Sequence, residues 1–397
     1  MKTTLLPMIF TFGILFTGNG CTGAAEQKPQ NNFTFDLYRT ATKDQANENV
    51  TVSPYCAELL LDFVRTGAAG ETKTEIDRVL SGTATSKWTE TSPDSPLTTA
   101  AALWTQKDHP ILPEFQKTAS EQFGASVEQA DFTSNAAEAV KRINAWCAEK
   151  TKNKIPTLFD KLDATTRCVL AGAIYFAADW KVPFNKEMTM IGSFTLQDGT
   201  KIKTKIMSQS GRMKYGETNE TLALELPYKN DGYAMLLLLP KDSEKFATWE
   251  SEITTEKWNA LRAAMKPEQI DLRMPQFTVE SDVTLNEPLK QLGMPTAFSR
   301  DADFSKIDGL TDLYLNEVRQ KVFVNVDETG TEAAAVTSAV IGVKTVLLDT
   351  KPFYADRPFL YAIVKDKSVL FLGRFVKPIV EKPFVDPGLD GEGGTFN

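Results

Sequence analysis

The sequence predicts one large domain of the α+β class, and three observations lead to that prediction. Helical patterns dominate the first half of the chain, whereas strand patterns dominate the second half. No proline-, glycine- or serine-rich break interrupts residues 31–379. A content of 42% hydrophobic and 10% aromatic residues is enough for a large core. We therefore expect a single domain there, followed by a flexible tail at residues 380–397.

The first twenty residues have the pattern of an export signal. Lys2 precedes an apolar stretch at residues 5–16, and the small residues Gly18 and Gly20 lead to Cys21. A cysteine directly after such a site resembles the start of a bacterial lipoprotein, whose thiol is acylated after cleavage. We expect residues 1–20 to be removed, Cys21 to carry lipid and residues 21–30 to form a linker. Cleavage without lipidation is the alternative.

Capping residues and apolar runs predict several elements in order along the chain. Ser53 and Pro54 are an N-cap and a first-turn proline, which predict a helix that Gly67 and Gly70 close. The continuous apolar runs at residues 167–176 and 233–239 are typical of strands buried on both faces. Residues 359–364 and 369–376 have the pattern of a hairpin.

The three cysteines that follow Cys21 do not indicate a disulfide framework or a zinc site. Cys56, Cys147 and Cys168 are odd in number and show no CxxC spacing. Cys147 shares a helical face with Val140 and Ile143. We expect all three to be buried thiols.

Charge and motif content argue against nucleic-acid binding and against most enzyme classes. The formal net charge of −8 disfavours broad nucleic-acid binding. His109 is the only histidine, which excludes two-histidine metal sites and HExxH helices; with no nucleophile nearby in sequence, we interpret it as a surface residue. Residues 67–74 miss the P-loop pattern because Thr72 replaces its second glycine, so we interpret them as a helix-ending turn. No catalytic residue, metal or cofactor is predicted.

Residues 327–341 form an unusual run of small side chains between strong strand patterns. One interpretation is a flexible loop. The other notes that Thr331, Ala333, Ala335 and Thr337 alternate on one face, so an extended segment could enter a sheet where only small side chains fit.

Ordered motifs along nearly the whole chain resemble the serpin family. They are residues 49–54, 143–146, 149–155, 173–176 with Trp180, 183–184, 285–294, 357–360 and 371–374, and residues 328–335 within the small-residue run match the family's hinge. The export signal and the sequence Val343-Lys344-Thr345 resemble inhibitory bacterial members.

The resemblance implies the serpin fold, with three β-sheets, eight or nine helices and an exposed reactive-centre loop at about residues 328–353. It also implies a mechanism in which a protease cleaves the loop, the freed strand inserts into the main sheet, and the acyl-linked protease is deformed before deacylation. The implied hinge residues are Glu328, Gly330, Thr331, Glu332, Ala333, Ala334 and Ala335. Counted by the family's convention from Glu328, the cleaved bond is Lys344-Thr345, flanked by Val343.

The region that the family uses to control sheet opening departs from the usual pattern. The matching positions are Ser53, Pro54, Cys56, Gly172, Trp180 and Gln320, and of its polar cluster only Ser53 is kept. Cys56, Gly172 and Gln320 replace the expected serine, asparagine and histidine. Helix capping is the role that residue type favours for Ser53. We also expect the side chain of Thr331 to lie in solvent until the loop is cleaved.

The function predicted from this resemblance is suicide inhibition of serine proteases, with cysteine proteases as a second class. Lys344 favours trypsin-like targets, and the small apolar residues around it favour elastase-like proteases at neighbouring bonds. A non-inhibitory serpin-like binding or chaperone protein is the runner-up. We expect an exported monomer, held at the outer membrane or cell surface by the lipid on Cys21, or otherwise periplasmic or secreted.

Overall fold

Nine α-helices and sixteen strands form in the residues that the computed structural model describes, which are 32–80, 95–331 and 350–379. The helices are α1 (Phe33–Thr42), α2 (Pro54–Arg65), α3 (Gly70–Val79), α4 (Pro113–Phe123), α5 (Phe132–Lys150), α6 (Phe246–Ser251), α7 (Thr255–Ala264), α8 (Asn286–Gln291) and α9 (Ser305–Asp308). The strands are β1 (Val50–Val52), β2 (Leu97–Gln106), β3 (Ser126–Ala130), β4 (Cys168–Phe176), β5 (Ala178–Asp179), β6 (Met190–Thr195), β7 (Lys201–Glu217), β8 (Thr221–Pro227), β9 (Tyr233–Pro240), β10 (Lys266–Pro275), β11 (Phe277–Thr284), β12 (Glu317–Val326), β13 (Gly330–Thr331), β14 (Lys351–Tyr354), β15 (Phe359–Lys365) and β16 (Ser368–Phe375). The α+β class is confirmed.

The predicted helix after Ser53 begins as its capping residues dictate. The Ser53 hydroxyl accepts a hydrogen bond from the Cys56 amide at 3.1 Å, and Pro54 is the first helical residue. The prediction for Gly70 is wrong, because this residue begins α3 instead of closing α2. Its φ of +53° turns the chain into the new helix at a conformation that glycine tolerates.

The seven-stranded sheet has β4 and β12 at its centre. The order is β3-β2-β4-β12, with β11 on the far side of β12, and β4 and β12 run parallel. Side chains of β4 alternate between two cores: Leu170 and Ile174 face one, and Val169 and Ala171 face the other beneath α5. This burial on both faces explains the continuous apolar run that predicted the strand.

The second sheet has nine strands among the described residues, in the order β1-β16-β15-β9-β8-β7-β10-β14, with β6 on the edge of β7. The hairpin predicted near residue 366 is β15 and β16. The described strands thus form two hydrogen-bonded sheets where the resemblance implies three. The reason is the long strand β7, whose residues 201–206 pair with β6, residues 206–215 with β10 and residues 214–217 with β8, so that one strand joins both regions.

The three predicted buried thiols are confirmed. Cys56, Cys147 and Cys168 are each free and buried, and burial raises the pKa of Cys56 and of Cys147 to about 12. They are therefore protonated core side chains. In the described ranges, no helix has the length and apolarity needed to cross a bilayer. The predicted signal, Cys21, the linker and the tail lie outside those ranges.

Candidate functional site

A tight turn at the end of β12 starts the segment that the sequence singled out. The Asp327 carboxylate accepts hydrogen bonds from the Thr329 amide at 2.7 Å and the Gly330 amide at 3.2 Å. The Asp327 amide in turn donates to the Gly330 carbonyl at 3.0 Å. A carboxylate that accepts hydrogen bonds from the amides two and three residues later in the chain is typical of an Asx turn. The chain therefore reverses direction and enters the seven-stranded sheet as β13.

The two residues of β13 occupy a gap between the central strands. The ladder between β4 and β12 runs only from Val169 and Glu317 to Ala173 and Lys321. Beyond it the strands separate, and Thr331 lies between Val326 of β12 and Ala178 of β5. The sheet is thus closed at one end and open at the other, where β13 has entered.

Gly330 is fixed in place by the lack of space around it. A Cβ atom on this residue would lie 2.1 Å from the carbonyl oxygen of Ala178 and 2.7 Å from the Cα of Asp179. Both contacts are with backbone, which cannot rotate away. Only glycine therefore allows β13 to approach β5 this closely.

Thr331 is buried, which corrects the expectation that its side chain lies in solvent. It is 1% exposed, and its hydroxyl lies 2.6 Å from the hydroxyl of Tyr228. Burial raises the pKa of the Tyr228 phenol, so the phenol keeps its proton for this hydrogen bond. The expectation failed because Tyr228 is 103 residues away in sequence, and no local pattern marks it as a partner for Thr331.

Glu328 anchors the same turn from its other side. Its carboxylate accepts hydrogen bonds from the Thr189 hydroxyl and the Gln276 amide group, both at 2.6 Å, and it is 6% exposed. Its carbonyl accepts from the Phe184 amide at 2.8 Å. Two neutral donors therefore satisfy a buried carboxylate that would otherwise be costly to desolvate. The sequence did not indicate Thr189 or Gln276.

Trp180 forms the wall behind the turn. Its indole N–H donates to the Asp327 carbonyl at 2.9 Å, and its backbone amide donates to the Thr329 carbonyl at 2.8 Å. Its ring stacks on Tyr228 with centroids 4.5 Å apart. Trp180 therefore contacts the turn at residues 327–330, and the structure does not bring it together with the Ser53 cluster.

The other sheet-opening positions form a separate polar cluster under β4 and β12. Gln320 accepts a hydrogen bond from the Ser53 amide at 2.7 Å and donates to the Ser53 carbonyl at 2.9 Å. The Ser53 hydroxyl also donates to the Leu370 carbonyl at 2.6 Å. Ser53 therefore caps α2 and also joins this helix to β12 and β16. The single glutamine satisfies both backbone groups of Ser53.

Gly172 belongs to the same cluster, and its lack of a side chain leaves room for α2. It pairs with Gln320 across the β4–β12 ladder. A Cβ at Gly172 would meet Cys56 Sγ at 2.8 Å and Leu60 Cδ1 at 2.7 Å. Pro54 is buried at the start of the same helix. The larger thiol of Cys56 is thus accommodated by the absence of a side chain on the opposing strand.

The sequence of this chain also matches a known protein family. The sequence model described as "Serpin (serine protease inhibitor)" matches residues 28–378. The chain belongs to the serpin family.

Named serpins are similar over most of the chain. The leukocyte elastase inhibitor of Bos taurus is 34% identical over 371 residues, which cover 87% of this chain and 97% of that protein. An uncharacterized serpin-like protein of Thermococcus kodakarensis is 33% identical over 365 residues, which cover 88% and 84%. The structure of Serpin48 of Tenebrio molitor superposes with a TM-score of 0.79 at 31% identity, covering 87% of this chain and 96% of that chain. Native tengpin, a thermophilic serpin, gives a TM-score of 0.80 at 27% identity, covering 87% and 92%.

The remaining predicted serpin residues lie outside the described ranges. They are Glu332, Ala333, Ala334, Ala335, Val343, Lys344 and Thr345. The described chain stops at Thr331 in the sheet and resumes at Thr350, ahead of β14 on the other sheet.

His109 is not the surface residue that the sequence suggested. Its side chain is 14% exposed, and Nε2 lies 2.6 Å from Oδ2 of Asp308, whose side chain is fully buried. Asp312 lies near enough to complete a group of three metal-ligating side chains. Because Asp308 and the imidazole already bond each other, and the Leu310 amide donates to the second Asp308 oxygen, we assign the pair a structural role. It joins the segment between β2 and α4 to the end of α9.

Proposed function

We propose that this serpin traps serine proteases as covalent acyl complexes after cleavage at or near Lys344-Thr345. The serine oxygen of the protease forms an ester with the Lys344 carbonyl carbon. The Lys344-Thr345 amide bond breaks, and the Thr345 amine leaves with a proton. Insertion of the freed strand then distorts the protease before water can hydrolyse the ester.

The observation that carries this proposal is the position of Thr331 between Val326 and Ala178. Insertion requires β4 and β12 to separate, and at the hinge end they already have done so. The chain already enters the gap in the direction that insertion requires, since Thr331 pairs antiparallel with β12. Extension of β13 from this point needs no new turn. It would continue the row of ladder hydrogen bonds that Thr331 begins.

Chain length and side-chain size also support insertion. The fourteen residues from 331 to 344 reach about 45 Å as a strand at roughly 3.3 Å per residue, which is on the scale of a whole domain. If Thr331 sets the inward face, strand alternation also turns Ala333, Ala335 and Thr337 inward. Small side chains there suit a close-packed interior, where bulky or charged ones would be rejected.

The sequence around the bond supports two classes of target. Lys344 suits the acidic specificity pocket of trypsin-like proteases. Val340, Ile341, Val343 and Thr345 suit proteases that prefer small apolar residues, and a similar protein is named as an elastase inhibitor. We propose trypsin-like enzymes as the preferred targets, with elastase-like cleavage at neighbouring bonds.

The test is complex formation with trypsin on a denaturing gel. The intact chain should give a band at the sum of the two masses, and trypsin with a blocked active site should not. Lys344→Glu should abolish the complex, whereas Lys367→Glu, the same charge change in the β15–β16 turn, should leave it unchanged. Full complex formation by Lys344→Glu would locate the bond elsewhere. Cleavage without any complex would favour the non-inhibitory runner-up.

Thermal unfolding supplies an independent measure of insertion. Cleavage within residues 338–345 should raise the melting temperature, because the inserted strand adds ladder hydrogen bonds and buries side chains. An unchanged or lower melting temperature would contradict insertion even if a complex forms. Mass spectrometry of the released C-terminal peptide identifies the bond that was cut.

We propose further that the protein is an exported monomer anchored through lipid on Cys21. The basic and apolar pattern of residues 1–20 supports export, and the cysteine after Gly20 supports acylation. Palmitate labelling in a bacterial host should be lost in Cys21→Ser and kept in Cys56→Ser, whose thiol is buried. Equal labelling of both variants would exclude Cys21 as the site.

A further inference from the structure

A groove of about 540 Å³ opens beside the hinge, between the two sheets. Ile191 of β6 and Lys203 and Lys205 of β7 line one side. Phe277 and Glu328 line the other, and Ile379, near the end of the described chain, also contributes. The groove therefore combines apolar and cationic side chains next to the turn that positions β13.

Exposed apolar side chains lie in this groove, at Ile191 and Ile379, and next to it at Met190. Met190 and Ile191 are 70% and 65% exposed, and Ile379 is 68% exposed. Among the described strands, β6 pairs only with β7, so its outer edge is also open. An exposed apolar edge strand is a surface that proteins usually cover or protect.

The positive charge of the groove comes from Lys203 and Lys205, which belong to a row of three lysines on β7. Lys201, Lys203 and Lys205 are exposed and alternate along the strand, which places them on one face. None of the three forms an ion pair with any residue in the described ranges. Asp327 and Glu328 also line the groove, but both carboxylates already accept hydrogen bonds. The partners of Asp327 are the Thr329 and Gly330 amides, and those of Glu328 are Thr189 and Gln276. The surface is therefore ready for an occupant that is both acidic and apolar.

Residues 380–390 of the same chain match these requirements. They follow Ile379 directly, so they start at the groove. They contain three acids, Glu381, Asp386 and Asp390, against one lysine, and the apolar residues Val380, Phe384, Val385 and Leu389. The first six residues reach about 20 Å if extended at roughly 3.3 Å each, which equals the length of the six-residue strand β6.

We propose that residues 380–390 dock in this groove, with their apolar side chains against Ile191 and Phe277 and their carboxylates near Lys203 and Lys205. Docking covers the exposed edge of β6. The glycine-rich residues 391–394 are not needed for it. This is an intramolecular site, and it does not depend on whether the protein inhibits a protease.

The test measures binding of a fluorescein-labelled peptide of residues 380–390 to a protein that stops at Ile379. Anisotropy should report saturable binding that weakens with salt, because exposed charges are screened beyond about 10 Å at 0.1 M. The full chain should bind the peptide at least about tenfold more weakly, since its own segment competes at a millimolar effective concentration. Equal binding to both proteins, or no binding, would overturn the proposal.

Matched variants locate the site on the truncated protein. Lys203→Glu with Lys205→Glu should reduce peptide affinity about five- to thirtyfold, because two charge pairs at roughly 0.5–1 kcal/mol each are lost. Lys117→Glu with Lys161→Glu, an equal charge change at exposed positions elsewhere, should not. A peptide with Phe384→Ser and Val385→Ser should also bind weakly. Concentration-dependent dimerisation of the truncated protein that the peptide does not reverse would assign the groove to a second copy and overturn the proposal.

Discussion

The hydroxyl of Thr331 lies 2.6 Å from the phenol oxygen of Tyr228, and this contact joins the hinge to the nine-stranded sheet. Tyr228 follows β8 directly, and its ring stacks on Trp180, which in turn bonds the carbonyls of Asp327 and Thr329. Thr331, which we propose as the first inward residue of the hinge, is therefore already seated in the sheet of the intact chain. Variants of these two residues should separate the effect of the hydrogen bond from the effect of side-chain size and charge at position 331.

Thr331→Arg should convert the protein from an inhibitor to a substrate. Burying an unpaired guanidinium costs several kcal/mol, so β13 should leave the sheet and insertion should slow. Titration against trypsin should then give mostly cleaved inhibitor, cut at the same bond. Tyr228→Phe removes only the hydrogen bond, costs about 1 kcal/mol and should keep most of the complex. Full complex formation by Thr331→Arg would contradict the insertion route from this position.

Gly330→Ala should have a similar effect through sterics alone. The added methyl would lie 2.1 Å from the Ala178 carbonyl oxygen, so β13 and β5 must move apart. We expect a lower yield of covalent complex and faster hydrogen exchange at the amides of residues 178–180 and 329–331. Gly211→Ala on β7 is the control, because a Cβ there meets nothing within 4 Å. If the two variants behave alike, the close approach at Gly330 has no role.

Gln320→Ala should weaken the junction between α2 and β12. It leaves the Ser53 amide unpaired in a fully buried place, at about 1–3 kcal/mol, whereas the Ser53 carbonyl keeps its hydrogen bond from the Ala57 amide at 3.1 Å. The urea midpoint for unfolding should fall, and spontaneous loop insertion during storage should become faster. Gln269→Ala, at an exposed position on β10, serves as the reference. A urea midpoint equal to that of Gln269→Ala would contradict this prediction, because it would mean that water replaces the glutamine side chain without loss of stability.

Glu58 should make the stability of the protein fall as pH rises. Burial on α2, with a smaller contribution from Asp62, raises its pKa from the usual 4.5 to about 7. Because the folded protein holds this proton more tightly than the unfolded chain, the free energy of unfolding decreases from about pH 4.5 to about pH 7 and then levels off. Glu58→Gln should therefore stabilise the protein by about 1–3 kcal/mol at pH 8 and by little at pH 4.5. Chemical denaturation at both pH values measures the difference, and an equal effect at both would rule out this titration.

Local patterns predicted the elements whose causes are local. The Ser53-Pro54 cap predicted α2 because capping depends on neighbours in sequence, and the apolar run that became β4 predicted a strand buried on both faces because such a strand needs apolar residues at every position. Gly70 was misassigned because a glycine with positive φ can end one helix or begin the next. His109 was misassigned because its partner, Asp308, is 199 residues away.

The same distinction between local and distant causes applies to the predicted hinge. The sequence by itself determined that residues 327–341 carry small side chains at alternating positions, which are compatible with an added strand, and their order among other motifs resembled the serpin family. Only the tertiary structure decided that Gly330 and Thr331 already lie in the sheet, that Trp180 belongs with them, and that Gln320 holds Ser53. Each of these contacts joins residues more than one hundred positions apart. Such contacts depend on how the two sheets and α2 pack together, and no periodicity within a short segment specifies that packing.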